Sequence, residues 1–265
     1  MGTLLQIAAS GPDRDAVARA LEEALAAVER VDRLMSFHAE DSELTHLNRH
    51  ASCRPQAVDP WTYAVLRRAV QVAALSDGLF DVTVAPLLVE YGLLPRRSDP
   101  MPEAGDWRDL MLLPEGRIFF QRPLLVDLGG IAKGFAVDQA IHALRRGGCA
   151  EAMVNAGGDL RAFGSERRPI HLRRREGLVP IAELRCGAIA TSSPHAIQPD
   201  RLARPLGGIV DPRRGEVWSG DGSVMVAARS CVIADALTKV AALAGPGCRS
   251  LLARFGAQAY WDVDP

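Results

Sequence analysis

A pair of adjacent glycines, Gly129-Gly130, separates a short apolar run, Leu124 to Asp127, from a helical pattern, Ile131 to Arg146, which stops at Gly147-Gly148. Read as strand, turn and helix, this juxtaposition makes the chain reverse within two residues, and glycine is the residue that permits it. Amides left free at a helix start attract anions, and Lys133 in the first turn adds a positive charge beside them. The segment is neither G-x-G-x-x-G nor a P-loop. The residues alone support either a phosphate-facing turn or an ordinary strand-to-helix turn.

The surrounding pattern predicts a strand at Leu4 to Ala8 and a long helix from Asp15 to Met35. That helix carries Val17, Leu21, Leu25, Val28, Val31 and Met35 on one face. A short helix is expected at Glu43 to Asn48. A third, opened by Asp59-Pro60, runs to Leu75. Tyr91 to Gly105, with three prolines, reads as a loop. Strands are expected at Ala152 to Asn155, Ile170 to Arg173, Ile181 to Leu184, Ala188 to Thr191, Ser223 to Ala228 and Ala257 to Val263. A helix is expected at Ala234 to Ala244. Helices early and strands late indicate an α+β chain rather than a doubly wound sheet.

A net charge of -1 offers no field that would recruit nucleic acid or an anionic membrane. The basic runs Arg167-Arg168 and Arg173-Arg174-Arg175 read as a solvated hairpin face. The five cysteines, Cys53, Cys149, Cys186, Cys231 and Cys248, contain no CxxC pair and read as small buried apolar residues. No apolar run appears long enough to span a bilayer and no signal peptide is evident, so a cytoplasmic setting is the expectation.

Among chemistry-bearing residues, Asp235 lies near the start of the apolar pattern ADALTKVAALAG. It reads either as an N-terminal helix acid or as an oxygen ligand for Mg²⁺. Asp81, after Gly78-Leu79-Phe80, reads as a turn acid or a polar anchor in a pocket, and Asp211-Pro212 as a turn. The six histidines show no metal-ligand spacing.

Seven segments in order resemble the FAD:protein FMN transferase family, also called the ApbE family. They are Met1-Gly2-Thr3, Ser42-Glu43-Leu44 through Asn48, and Gly78 to Val84 with Pro86. Next come Asp127 to Gly134 with Asp138, Asn155 to Asp159, Ile209 to Pro212 with Gly215, and Ala234 to Leu237. The resemblance covers almost the whole chain. It implies a single ApbE-like, T-fold-like α+β domain over residues 1–265, with mixed or antiparallel sheets and flanking helices. It further implies protein flavinylation: FMN moves from FAD to a threonine of a target flavoprotein, with release of AMP. On that resemblance Met1, His38, Leu79, Phe80, Asp81, Asp127, Lys133 and Ile209 contact FAD. The Gly130 carbonyl and the Asp235 carboxylate hold Mg²⁺, and Asp235 and Lys133 serve catalysis. Members are often periplasmic or membrane-anchored.

Three positions depart from the family pattern. Gly208 stands where a histidine usually precedes I-[IV]-D-P, Lys239 where a threonine completes the metal shell, and His38 where tyrosine is usual. Thr238 lies one position before the expected threonine. The ammonium of Lys239 is able to take the place of the cation, and His195 is a candidate substitute base. The departures leave three activities open: transfer, hydrolysis of FAD to FMN and AMP, and flavin binding alone.

Overall fold

In a computed structural model of the protein, the described residues are 2–97, 100–174, 177–193, 208–220 and 222–262. Strand β1 (Leu5–Ser10) leads into helix α1 (Arg14–Met35), whose N-terminus is capped by Asp13 accepting from the amides of Asp15 and Ala16. Helix α2 (Glu43–His50) starts at Ser42, which accepts from the Thr45 amide at 3.0 Å. A short strand β2 (Gln56–Ala57) precedes α3 (Pro60–Leu75), opened by Asp59 and Pro60 as expected. There follow α4 (Ala85–Glu90), β3 (Leu110–Leu113), β4 (Arg117–Phe120), α5 (Ala132–Arg146), β5 (Glu151–Ala156) and β6 (Asp159–Phe163). The remainder is β7 (Arg168–Arg174), β8 (Gly177–Leu184), β9 (Gly187–Ser192), β10 (Ser223–Ala228), α6 (Cys231–Ala244), α7 (Arg249–Arg254) and β11 (Gln258–Asp262).

A six-stranded sheet in the order β1-β5-β6-β9-β10-β11 forms the floor, and α5 and α6 pack against it. α1 covers α5 from outside. A three-stranded sheet, β2-β4-β3, and a two-stranded hairpin, β7-β8, are separate. Every described pairing is antiparallel, so the α+β expectation holds and no mixed sheet occurs among the described strands.

Several expectations need correction. Leu124 to Asp127 is not a strand. Its ladder partners are a side chain and a turn: Asn48 Nδ2 donates to the Val126 carbonyl at 2.9 Å, and Asn48 Oδ1 accepts from the Val126 amide at 2.8 Å. The Asp127 amide donates to the Val82 carbonyl. The buried face of α1 is Ala20, Ala24, Val28, Val31 and Met35, while Leu25 is 47% exposed. Small residues win in the first half because α1 and α5 approach closely, with Ala20 against Gly147. Helix α6 begins three residues earlier than expected, at Cys231. Cys53 and Cys186 are exposed, and the other three cysteines are buried.

In the basic hairpin, Arg167 pairs with Glu183 and Arg168 with Glu166 and Glu151, while Arg175 lies outside the described residues. By length and composition Cys231–Arg254 would cross a bilayer, counter to the expectation that no run is long enough; 67% of its apolar window is buried inside this fold.

Candidate functional site

Neither α5 nor α6 has a side-chain cap of its own: Ile131 and Ser230 make no capping hydrogen bond. Each helix is capped instead by an aspartate from the other. Asp138 of α5 accepts from the amides of Cys231 and Val232, at 2.9 and 3.0 Å, at the start of α6. Asp235 of α6 accepts at 3.0 Å from the Gly134 amide in the first turn of α5. Asp235 is therefore not an acid of its own helix N-terminus; it caps the neighbouring helix. The exchange needs intimate contact. A Cβ on Gly134 would lie 2.6 Å from the Cys231 carbonyl carbon and 2.8 Å from Asp235 Cβ. Arg161 anchors the second aspartate, with Nη1 at 2.6 Å from Asp138 Oδ1.

A charged cluster is built on this junction. Lys133 Nζ lies 2.7 Å from Asp159 Oδ2 and 3.6 Å from Asp235 Oδ1. Lys239, one turn along α6, donates to Asp235 Oδ1 and, at 3.1 Å, to the Asp235 carbonyl. Asp235 and Asp159 are fully or almost fully buried, whereas the side chains of Lys133 and Lys239 keep 29% and 17% exposure. Two carboxylates and two ammoniums make the group formally neutral. Burial pushes the Asp235 carboxyl up, but Lys133, Lys239 and the Gly134 amide together hold it below its ordinary value. For Lys133 burial pulls down, and Asp235 and Asp159 outweigh it and raise the ammonium well above the usual lysine range. Asp159 is raised, by burial first and by the nearby Asp235 charge, with Lys133 opposing.

The glycine turn forms the outer wall. A Cβ on Gly129 would meet Asp127 Oδ2 at 2.9 Å, the oxygen that accepts from the Gly129 amide. Gly130 faces the Phe80 ring and the Lys239 stem: a Cβ there would lie 3.4 Å from Phe80 Cε2 and 3.5 Å from Lys239 Cε. Burial raises the half-buried Asp127, with the Gly129 amide, His38 and Lys133 pulling the other way. His38 is exposed, and its carbonyl accepts from Arg97.

Of the sequence-predicted residues, the structure brings together Phe80, Gly130, Lys133, Asp235 and Lys239, with Asp127 and His38 alongside. Asp81 is tied into structure. Its Oδ1 accepts from the Thr83 amide and hydroxyl, each at 2.8 Å, and its Oδ2 from the Trp107 amide. Burial still raises its pKa. Leu79 is half-buried beside it. Ile209 is buried in a hairpin where the Trp218 amide donates to its carbonyl, and among the described residues no hydrogen bond or ion pair joins it to the cluster. Gly208 precedes it, and among the described residues no atom lies within 4 Å of where its Cβ would be. Met1 and His195 lie outside the described residues. Sequence reasoning omitted Asp159, Asp138 and Asn48 from the site, although all three fall inside matched segments.

The expected Mg²⁺ donors do not fit a divalent cation. Asp235 Oδ2 is taken by the Gly134 amide, and Oδ1 by the Lys239 ammonium, which would share the same space as a metal on that oxygen. Thr238, the hydroxyl nearest in sequence to the expected ligand, donates to the Asp235 carbonyl at 2.7 Å and meets Ser192 at 2.8 Å. Among the described residues no group of three or more His, Cys, Asp or Glu could hold a metal ion. A cavity of about 730 Å³ is lined by residues of β8, β9, β10, α7 and β11 and by none of the cluster. Cavity size does not mark this site; converging charge does.

The sequence profile of the ApbE family matches residues 1–261. The chain belongs to the ApbE family. It is similar to a FAD:protein FMN transferase of Vibrio cholerae serotype O1, 32% identical over 229 residues, covering 79% of this chain and 69% of the relative. It is also similar to one of Escherichia coli K12, 23% identical over 269 residues, covering 93% and 77%. Among solved structures, a histidine-to-glycine mutant of the flavin transferase ApbE from Vibrio cholerae superposes with TM-score 0.82 at 28% identity, covering 100% of this chain and 92% of that one. The ApbE protein of Thermotoga maritima gives TM-score 0.81 at 27% identity, covering 98% and 91%. The ApbE α+β fold is thus established, and the lysine–aspartate cluster sits where α5 and α6 meet.

Proposed function

We propose that this chain transfers FMN from FAD to a threonine of an acceptor flavoprotein and releases AMP. The observation that carries the reading is the cluster of Lys133, Asp159, Asp235 and Lys239. It lies behind the Gly129-Gly130 turn of a chain that matches FAD:protein FMN transferases over nearly its whole length. The threonine oxygen bonds to the phosphorus on the FMN side of the pyrophosphate, and the bond from that phosphorus to the oxygen of the AMP phosphate breaks. The hydroxyl proton passes to solvent and AMP leaves as a phosphate dianion. Such a reaction asks chiefly for alignment and for positive charge beside oxygens that gain charge. Lys133 and Lys239 supply that charge, and their side chains keep 29% and 17% exposure. Gly130 offers backbone without a side chain, and Phe80 an apolar wall. Met1, His38, Leu79, Asp81, Asp127 and Ile209 come into the FAD site on the family resemblance. The Mg²⁺ of that resemblance is not supported by the donors around Asp235, and no step here is routed through it.

A second reading rests on Gly208, which carries no side chain where the family pattern has a histidine. Water admitted there in place of a threonine hydroxyl would give free FMN and AMP. One assay separates the two: purified protein, FAD and a threonine-bearing acceptor protein, followed for AMP and for flavin fluorescence on denaturing gels. AMP with acceptor-bound flavin supports transfer; AMP with free FMN supports hydrolysis. Intact bound FAD with no AMP refutes both.

A further inference from the structure

We propose that Lys239 is a built-in cation, so that this site cleaves the FAD pyrophosphate without a divalent metal; the inference rests on the transferase reading above. Asp235 without Lys239 would already be served by the Gly134 amide on Oδ2 and by Lys133 near Oδ1. Lys239 adds a second ammonium to the same oxygen and to the Asp235 carbonyl. Two donors of its ammonium are then engaged and a third is left for a ligand. The side chain is fixed from both ends. It leaves α6 four residues after Asp235, and its Cε lies against Gly130, the residue whose carbonyl would share a metal with Asp235.

The charge arithmetic points the same way. Lys133 offsets Asp159 and Lys239 offsets Asp235, so the cluster is formally neutral on its own side chains. FAD then adds two negative charges beside two ammoniums that Asp159 and Asp235 already offset. The ammoniums therefore act by local hydrogen-bond donation to the pyrophosphate oxygens and not by neutralising the loaded site. Those ammoniums are preorganised on side chains that are partly exposed, and fixed, preorganised charge lowers a phosphoryl-transfer barrier. A divalent ion could enter only by displacing the Lys239 ammonium from Asp235.

The test compares the full wild-type chain with Lys239→Thr and Lys239→Arg. Calorimetric titration with MgCl₂ is run on each protein with and without FAD, and AMP release from FAD is followed in EDTA and across a Mg²⁺ series. In EDTA, wild-type AMP release should stay within about two-fold of its rate in Mg²⁺, and Lys239→Thr should lose about 100-fold or more. Millimolar Mg²⁺ should restore Lys239→Thr, which should bind one Mg²⁺ where the wild type binds none. Lys239→Arg should remain indifferent to EDTA. Loss of wild-type turnover in EDTA, or Mg²⁺ binding by the wild type as tight as by Lys239→Thr, overturns the inference. Should no protein release AMP under any condition, the transferase reading fails; the calorimetry still decides on Lys239. Should Lys239→Thr not fold, the wild-type titration and the Lys239→Arg arm carry the decision alone.

Discussion

Replacing Gly134 with alanine sets two physical effects against each other, and the geometry says which prevails. Alanine is the better helix former by about 1 kcal/mol, so propensity alone predicts a gain in stability. The new Cβ, however, would lie 2.6 Å from the Cys231 carbonyl carbon, 2.8 Å from Asp235 Cβ, and nearer still to the Cys231 carbonyl oxygen. These are backbone and near-backbone atoms of a buried helix, so no flexible side chain can swing aside. Relief requires α5 and α6 to part by about 1 Å to regain contact distances near 3.5 Å. Overpacking of this kind costs about 1–3 kcal/mol. Parting the helices also stretches the 3.0 Å bond from the Gly134 amide to the Asp235 carboxylate. A hydrogen bond to a charged group contributes about 1.5–3 kcal/mol. After the propensity gain is subtracted, the net loss should be about 1.5–5 kcal/mol, read as a shift in urea unfolding with unchanged m-value. FAD affinity, measured by flavin fluorescence, should fall as well, because parting α5 from α6 pulls Lys133 away from Asp235 and Lys239. A variant equal to or more stable than the wild type would refute the close α5–α6 junction and the capping exchange built on it.

Asp138→Ala should destabilise by about 2–4 kcal/mol in urea unfolding, since it orphans two buried amides of α6 and leaves Arg161 unpartnered. Asp235→Ala should cost about 3–5 kcal/mol, because two ammoniums lose one buried carboxylate, and AMP release from FAD should become undetectable. Unchanged unfolding would contradict the buried pairing. Asn48→Ala should speed amide exchange at Val126 and lower stability by about 1–3 kcal/mol, as both bonds that hold the segment before the glycine turn disappear. Gly208→His should leave stability within about 0.5 kcal/mol, since Gly208 is exposed and among the described residues nothing lies within 4 Å of the new Cβ. It should also raise the ratio of acceptor-bound flavin to free FMN, and an unaltered ratio would show that this position does not decide between threonine and water.

Helix starts were the most legible elements, because their signals are local. Asp59-Pro60 and Ser42 announce α3 and α2 in a few residues, and both caps form as written. The β2-β4-β3 sheet escaped notice because Gln56–Ala57, Leu110–Leu113 and Arg117–Phe120 are too short for alternation to register. Leu124 to Asp127 misled for the opposite reason. It is apolar like a strand, but its partner is the side chain of Asn48, which no periodicity reveals.

The site was legible as a set of residues and illegible as an arrangement. Asp235 carried the composition of a helix-start acid, and it does cap a helix, but across a tertiary junction whose register no local pattern encodes. The same exchange accounts for Asp138, which closes the glycine-turn segment in sequence and caps α6 in space. Asp159 is the other end of the Lys133 pair and was overlooked because its motif drew attention to the glycines before it. Once α5 and α6 are recognised as capping each other, the position of every charge follows. Gly134 sets the separation, the separation places Asp235, and Asp235 gathers Lys133 and Lys239 onto one buried oxygen. The charges of this group are coupled to one another through the helix junction. Double-mutant cycles between Gly134→Ala and Lys239→Thr should therefore depart from additivity by about 0.5–3 kcal/mol.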